Sequence, residues 1–534
     1  MNIFDLFENN VRNFPNKPAF IYFDKRKWIT LTYQEIFDKT QRFIRGLETG
    51  HYTPGITAAL LTPPSADFFP FALALLKLGI VPILVEPALG IKKIREIYAE
   101  SKPDIFVGNA LTNTLRMIFG WGRESVKYNL SIAKVESGEW KVPQSSTFYS
   151  PLSTHSPAAI IYTSGSTGLP KGAIYTQENL AAQLELLKNT FNITPDEIDL
   201  PAFPLYALID LLLGVTSVIP DITFPVPGKT DAAKVIGAIQ KFNVTNMFAS
   251  PVVLDLLSSF AENNNSSTHP IVLASLKCII TAGAPATIDL QKRFRHLLAD
   301  HTFLYGIYGA TESLPIAKVE SHDVFALEEK TKNGAGICLG KPIEGVTVRI
   351  IPITDEPIEE WQDSLTVKPN VVGEITVQSG ATTREYLNRP ASNRISKIEY
   401  RGEIIHRMGD VGYFDDEGRL WYCGRKSHRV QTKDGVLFTE KIENIFNAHP
   451  QVFRTALVGV DGGPVLWVEL EKGVKIGKEK IIAELKALAA SHPQAAQIRT
   501  FLFLKKFPTD VRHNSKIIRE KLASLAASKS ITNH

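Results

Sequence analysis

Cysteine is scarce in this chain: Cys278, Cys338 and Cys423 are the only three in 534 residues. They lie far apart, in neither a metal-ligand spacing nor an even set for disulfides. Reduced thiols in a cytoplasmic protein are therefore the expectation. Charge of one sign is lacking too. The 59 basic and 55 acidic residues leave a net charge of +4, too little to predict a nucleic-acid partner. Long hydrophobic runs are also missing. Residues 68–87 come nearest, but Lys77 sits inside the run and Pro70, Gly79 and Pro82 divide it. The pattern predicts a buried helix over 71–78 that turns at Gly79 into a strand over 80–85, and no membrane span. The start, Met1-Asn2-Ile3-Phe4-Asp5, has no basic stretch leading into an apolar one, so no secretory signal is expected.

What is present belongs to a globular protein: 44% hydrophobic and 21% charged residues. The length exceeds what one hydrophobic core organises, so at least two domains are expected. From about residue 30 to 350 short apolar runs alternate with helical patterns. Residues 56–61, 80–85, 158–163, 246–249 and 277–281 read as strands, and 180–189 and 232–241 as helices between them. That alternation predicts an α/β architecture with largely parallel sheets. From Val371 the texture changes to hairpins: 373–377, then 412–414 and 420–422 around Asp416-Glu417-Gly418. After Gly424-Arg425 a second α+β unit begins. It has a hairpin at Lys433-Asp434-Gly435, a helix over 440–447, strands over 455–460 and 465–470, a helix over 478–490 and a strand over 499–504. The expected domains are thus 1–425 and 426–534, the second a mobile lid. Ser145-Ser146 and residues 263–267 read as surface loops.

The strongest chemical signal is Ile160-Ile161-Tyr162-Thr163-Ser164-Gly165-Ser166-Thr167-Gly168-Leu169-Pro170-Lys171-Gly172. An apolar strand enters a loop of hydroxyl residues and glycines that ends on a lysine. Glycines admit backbone N–H groups close to an oxyanion, hydroxyls add donors, and lysine supplies a point charge for phosphates. Lys171 precedes its glycine, so the loop is not a Walker A motif.

This loop resembles the phosphate-binding motif of the adenylate-forming superfamily, which contains acyl-CoA synthetases, peptide-synthetase adenylation domains and firefly-type luciferases. Further motifs follow in family order along nearly the whole chain. Thr281-Ala282-Gly283-Ala284-Pro285 is similar to the segment that lies against adenine. Tyr308-Gly309-Ala310-Thr311-Glu312 is similar to the motif whose ring stacks on adenine, whose threonine contacts the α-phosphate and whose glutamate binds Mg²⁺. Met408-Gly409-Asp410 and Gly424-Arg425 resemble the aspartate and arginine that reach the ribose. Pro508 with Asn514-Ser515-Lys516-Ile517 resembles the motif whose lysine bridges carboxylate and phosphate. The resemblance implies ATP and Mg²⁺ as cofactors and a small-molecule carboxylic acid with a long acyl chain as substrate. It makes Lys171, Lys516, Thr311 and the Mg²⁺ held by Glu312 the groups that screen charge as two anions meet.

Within the superfamily the chain most resembles the olefin β-lactone synthetases of long-chain hydrocarbon biosynthesis. The residues that carry this are 199–208, 213–221, 406–415 and 512–517, among them Phe203-Pro204-Leu205-Tyr206-Ala207-Leu208 and His406-Arg407-Met408-Gly409-Asp410. The resemblance implies that a β-hydroxyl attacks the acyl adenylate and expels AMP as the lactone closes, and that other hydrocarbon-forming enzymes are partners. Two departures from acyl-CoA synthetases agree with it. Ser427 stands where those enzymes carry Asp or Lys, and His428-Arg429-Val430-Gln431 replaces the usual acidic-then-Ile-Lys pattern of the thiol tunnel. The alternative is a long-chain fatty acyl-CoA or acyl-AMP ligase. Phe203, Tyr206, Leu208 and Leu213 are the candidate acyl-binding residues. Asp210, a carboxylate within an apolar run, is the candidate proton acceptor for the hydroxyl, ahead of His155 and His513.

Overall fold

The structure, a computed structural model, describes residues 2–24, 26–48, 54–137, 153–162, 170–221, 227–264, 270–509 and 516–531. The chain divides into two compact units. The first comprises Met1–Tyr305, Gly309–Pro315 and Ser379–Arg394; the second comprises Gly306–Tyr308, Ile316–Gln378 and Ile395–His534.

The first unit holds two sheets. One runs in the order Tyr128–Leu130, Ile105–Gly108, Thr57–Leu61, Val81–Leu84, Pro157–Tyr162 and Gly172–Thr176. It is parallel up to the last pair, which is antiparallel. The other runs Cys278–Thr281, Asn246–Ala249, Ile198–Pro201, Thr216–Ile219, Pro18–Asp24 and Lys27–Thr32, again parallel until its final hairpin. Their short, nearly all-apolar strands are what a sheet covered on both faces requires. The helices Ile3–Asn13, Tyr33–Glu48 and Phe68–Leu78 meet strand residues of both sheets, Ala58 and Ile105 with Ala19 and Phe20, in one core. Every residue of Phe68–Leu78 is buried except Lys77. The Lys77 ammonium instead lies 4.8 Å from the Phe4 ring centre and 3.6 Å from a Glu8 carboxylate oxygen. Among the described residues no helix is long and apolar enough to cross a membrane.

The second unit is largely antiparallel. Thr347–Ile351, Gly373–Gln378, Glu403–Phe414, Leu420–Arg425 and Ile337–Pro342 pair in that order. Further along the chain, Val452–Val460, Gly463–Leu470 and Thr500–Phe503 form a three-stranded sheet, beside the two-stranded hairpin Val430–Thr432 and Gly435–Leu437. The helices Thr439–Asn447 and Lys478–Ser491 supply Ile442, Ile445, Phe446, Ile481 and Leu485 to its core.

Strands and helices fall within a few residues of their expected limits, except that the strand expected over 412–414 already begins at Glu403. One expectation needs correction. Asn263 and Asn264, read as loop, close the helix Pro251–Asn264, where their amides donate to the carbonyls of Ser259 and Phe260. Local side-chain bonding of this kind lets asparagine extend a last helical turn. Residues 265–267, Ser145 and Ser146 lie outside the described residues.

Candidate active site

In the first unit, the strand Pro157–Tyr162 leads into the glycine–hydroxyl loop and Gly172–Thr176 returns from it. Thr163, Ser164, Gly165, Ser166, Thr167 and Gly168 lie outside the described residues. Lys171, at the end of the loop, is described. Its ammonium lies 5.0 Å from the centre of the Tyr386 ring, within cation–π range. Burial lowers its proton affinity, Glu312 opposes that shift, and Arg389 adds to it. The Tyr386 hydroxyl donates to Glu312 Oε1 at 2.5 Å.

Thr311 and Glu312 form the turn between Phe303–Ala310 and Ser313–Glu320. The turn is tight. A Cβ on Gly309 would lie 2.4 Å from Leu314 Cδ1 and 3.0 Å from the Ser313 carbonyl, so only glycine fits. The main chain here is held from outside the hairpin. The Tyr175 hydroxyl donates to the Thr311 carbonyl, the Thr383 N–H donates to the Glu312 carbonyl at 2.8 Å, and the Gln183 amide donates to the Leu314 carbonyl at 3.0 Å. The structure thus brings together Lys171 and Glu312, which are far apart in sequence, and adds Tyr386, which the motifs did not reveal. A glutamate with one oxygen fixed by a phenol fits a hard, oxygen-seeking cation. Mg²⁺ commonly takes only one or two protein carboxylates beside substrate phosphates. Gly283, Ala284 and Pro285 lie between the strand Cys278–Thr281 and the helix Ile288–Arg295, with Gly283 at φ 94°.

In the second unit, the Tyr308 hydroxyl donates to Asp410 Oδ2 at 2.7 Å, and Arg425 lies 3.1 Å from Asp410 Oδ1. Asp410 and Arg425 are register partners on adjacent antiparallel strands. Asp410 is buried, whereas the Arg425 side chain is 37% exposed. Burial first, and the Asp410 charge next, push the Tyr308 phenol well above its ordinary proton affinity, so it stays a donor. Gly424, beside Arg425, has φ 125°, and a Cβ there would lie 2.1 Å from Thr439 Oγ1. Lys516 lies just before the helix Arg519–Ile531. Arg519, in that helix, forms a bidentate pair with buried Glu443 at 2.5 and 2.9 Å. Asn514, Ser515 and His513 lie outside the described residues.

The candidate acyl residues cluster in the first unit. Phe203 precedes the turn Pro204–Tyr206, and Leu208 and Leu213 lie on the helix Ala207–Leu213. Tyr206 stacks on Phe248 with ring centres 3.6 Å apart. Asp210, on the same helix, is buried. It accepts from the Ser217 hydroxyl at 2.5 Å and is hydrogen-bonded to Asp199. Burial pushes its proton affinity up to about 7, against the opposing hydrogen bonds of Ser217 and Asp199. Asp199 is raised well above the usual range by burial and then by Asp210. Two carboxyls in this position share a proton. His155 is exposed and lies 3.0 Å from Glu178.

The sheets and the described motif residues fit an adenylate-forming fold, and comparison with known proteins agrees. Residues 7–387 match the family model of the AMP-binding enzymes, and the chain belongs to that family. It is an adenylate-forming ligase. It is 39% identical to the olefin β-lactone synthetase of Xanthomonas campestris, over 94% of this chain and 92% of that one. It is 36% identical to the enzyme of the same name from Stenotrophomonas maltophilia, with the same coverage. Among solved structures, it is similar to O-succinylbenzoate coenzyme A synthetase from Bacillus subtilis in complex with ATP and magnesium. That match has a TM-score of 0.75 at 21% identity, covering 97% of this chain and 98% of that one. ATP-bound MatB from Rhodopseudomonas palustris is similar with a TM-score of 0.77 at 19% identity, covering 99% of each chain.

Proposed function

We propose that this ligase adenylates a long-chain 2-alkyl-3-hydroxy carboxylic acid and then closes it to a β-lactone. The full-length likeness to two olefin β-lactone synthetases carries this reading. In the first step a carboxylate oxygen attacks the α-phosphorus of ATP and the bond to pyrophosphate breaks. Lys171 and Thr311 face the phosphates, Lys516 bridges carboxylate and phosphate, and Asp410 and Arg425 hold the ribose. Tyr308, Gly309, Ala310 and residues 283–285 line the adenine. Glu312 would hold Mg²⁺, which supplies positive charge to the phosphate oxygens when bound. Residues 426–534 act as the lid that delivers Lys516.

In the second step the β-hydroxyl oxygen attacks the acyl carbon, the bond to AMP breaks, and the hydroxyl proton passes to a base. Held internal nucleophiles reach effective molarities on the order of 10⁵ M or more, from which ring strain subtracts. Asp210 is assigned as that base, because its proton affinity suits transfer near neutral pH. Its enclosure by Ser217 and Asp199 favours a second reading, in which it only organises the acyl-side helix.

Supporting the lactone over a thioester, the stretch after Arg425 is engaged elsewhere. Lys426 lies 3.1 Å from Glu374, and Arg429 lies 2.5 Å from Asp355. The deciding experiment offers purified protein ATP and Mg²⁺ with either a β-hydroxy acid or a plain fatty acid plus CoA, and identifies the product by mass spectrometry. β-Lactone is expected, and a preferred thioester would overturn the reading. Lys516→Ala should slow ATP–pyrophosphate exchange by about 10²-fold or more.

A further inference from the structure

The helix Ala110–Phe119 inverts the usual polarity of a surface helix. Asn109 caps its start, and Gly120 ends it in the left-handed conformation, so it is well formed. Its inner side carries Leu115 and Phe119, packed on the cluster that contains Ile94, Ile97, Tyr98, Phe106 and Trp121. The helix's one charged residue, Arg116, also turns inward. Its guanidinium lies 5.6 Å from the Phe106 ring centre and donates to the Trp121 carbonyl.

The outward residues are Ala110, Leu111, Thr114, Met117 and Ile118. They follow the spacing of one helical face, and none is charged. Leu111, Met117 and Ile118 are 65%, 70% and 67% exposed. The indole of Trp121 donates to the Ile91 carbonyl at 3.3 Å, and Ile91 is itself 46% exposed. Ile91 opens a helix whose next residues are Lys92 and Lys93, and Arg123 lies in the turn after Gly120. Among the described residues Lys92, Lys93 and Arg123 form no ion pair with a carboxylate, while Lys127 nearby is paired with Asp104.

We propose that this face docks on the surface of an anionic lipid bilayer. The apolar side chains enter the acyl boundary, and Lys92, Lys93 and Arg123 meet the headgroup phosphates. The area favours a bilayer over a second copy of the chain. The four apolar side chains offer on the order of 400 Å², about the largest patch a monomer tolerates and well below the ~800 Å² per partner that a stable dimer buries. The occupant also suits the long-chain acid proposed as substrate, and in that respect the inference rests on the reading above. A water-insoluble acid resides in the bilayer, so docking there brings the enzyme to it.

The test is co-sedimentation of the full chain with phosphatidylcholine vesicles, with and without phosphatidylglycerol. Wild type should bind the anionic vesicles, and less so as salt rises. The triple variant Leu111→Ser, Met117→Ser, Ile118→Ser should bind about 10-fold more weakly or less, and Lys92→Glu with Lys93→Glu should lose the preference for anionic lipid. Both variants should keep the wild-type melting temperature and pyrophosphate exchange on a short, soluble acid. Equal sedimentation of wild type and the triple variant would overturn the proposal. So would a wild-type dimer that the triple variant dissolves, which would make the face a self-interface. Lys516→Ala should still bind vesicles, so failure of the adenylation reading and failure of docking are separate results.

Discussion

Asp199 and Asp210 in the first unit and Glu374 in the second are all buried, yet in opposite company. The two aspartates face each other and the Ser217 hydroxyl. Glu374 lies 2.6 Å from Arg407 and 3.1 Å from Lys426, with Glu374 and Arg407 each only 1% exposed. Arg407 also donates to the carbonyls of Thr354, Glu356 and Ile395. A buried carboxylate matched by cations is held in a fixed geometry. One matched by its own kind holds a proton near neutral pH. The Glu374 arrangement lies at the strand that carries Asp410, where the proposed chemistry needs rigidity. The aspartate pair lies beside the candidate acyl residues, where a proton can be taken up or given. The second unit also contains an intermediate case. Burial and then Glu443 push Glu440 up to about 7 although Arg519 opposes them. His428, pushed down to about 4 by burial and then by Arg519 and Arg425, stays neutral in the folded protein, so its stabilising share is present above the unfolded value and is lost as pH falls toward 4, opposite in sign to Glu440.

The comparison can be broken hardest at Arg407. Arg407→Met should strand Glu374 with Lys426 alone and cost about 3–5 kcal/mol of stability in denaturant unfolding. Replacing Glu374 by Gln as well should recover part of that loss. Asp410→Asn removes the charge that faces Arg425 and Tyr308. A charge-assisted hydrogen bond is worth about 1.5–3 kcal/mol, so kcat/KM for ATP should fall roughly 10- to 100-fold while the melting temperature changes little. A melt that collapses instead would make Asp410 a structural residue.

The smallest effect sharpens the contrast by pH. The folded proton affinities of Asp210 and Glu440 lie above those of the unfolded chain. Their stabilising contribution is therefore complete below the unfolded pKa, near 4, and is lost as pH rises through about 7. Stability should decline between pH 5 and 8 by at most about 1.4 kcal/mol per pH unit for each proton released. Urea titrations at several pH values measure it. Asp199→Asn with Asp210→Asn should flatten the first unit's share and Glu440→Gln the second's. If the slope survives both changes, the proton is held elsewhere.

Much of the fold was legible because it is written in short-range pattern. The apolar run ending at Leu78 and the Gly79 turn, the strand before the glycine–hydroxyl loop, and the hairpin at Lys433-Asp434-Gly435 each announce themselves within a dozen residues. The unit boundary was less legible. Residues 316–378 and 395–425 form a compact unit with the C-terminal segment, a grouping set by long-range packing. The partners of the motif residues were not legible at all. Tyr386 lies 74 residues from the Glu312 it bonds, and Tyr308 lies 102 from Asp410.

The sequence by itself determined the order of elements and singled out the candidate groups: the lysines 171 and 516, Glu312 in its tight turn, and Asp410 and Arg425. Glycine spacing, apolar periodicity and charged residues at loop positions are local properties that need no folded chain to exist. Only the tertiary structure decided what each group experiences. It gave Glu312 a phenol, Lys171 an aromatic face, Asp410 a cation, and Asp210 another acid. Proton affinity and orientation depend on desolvation and on charges within a few ångströms, and those neighbours come from distant parts of the chain.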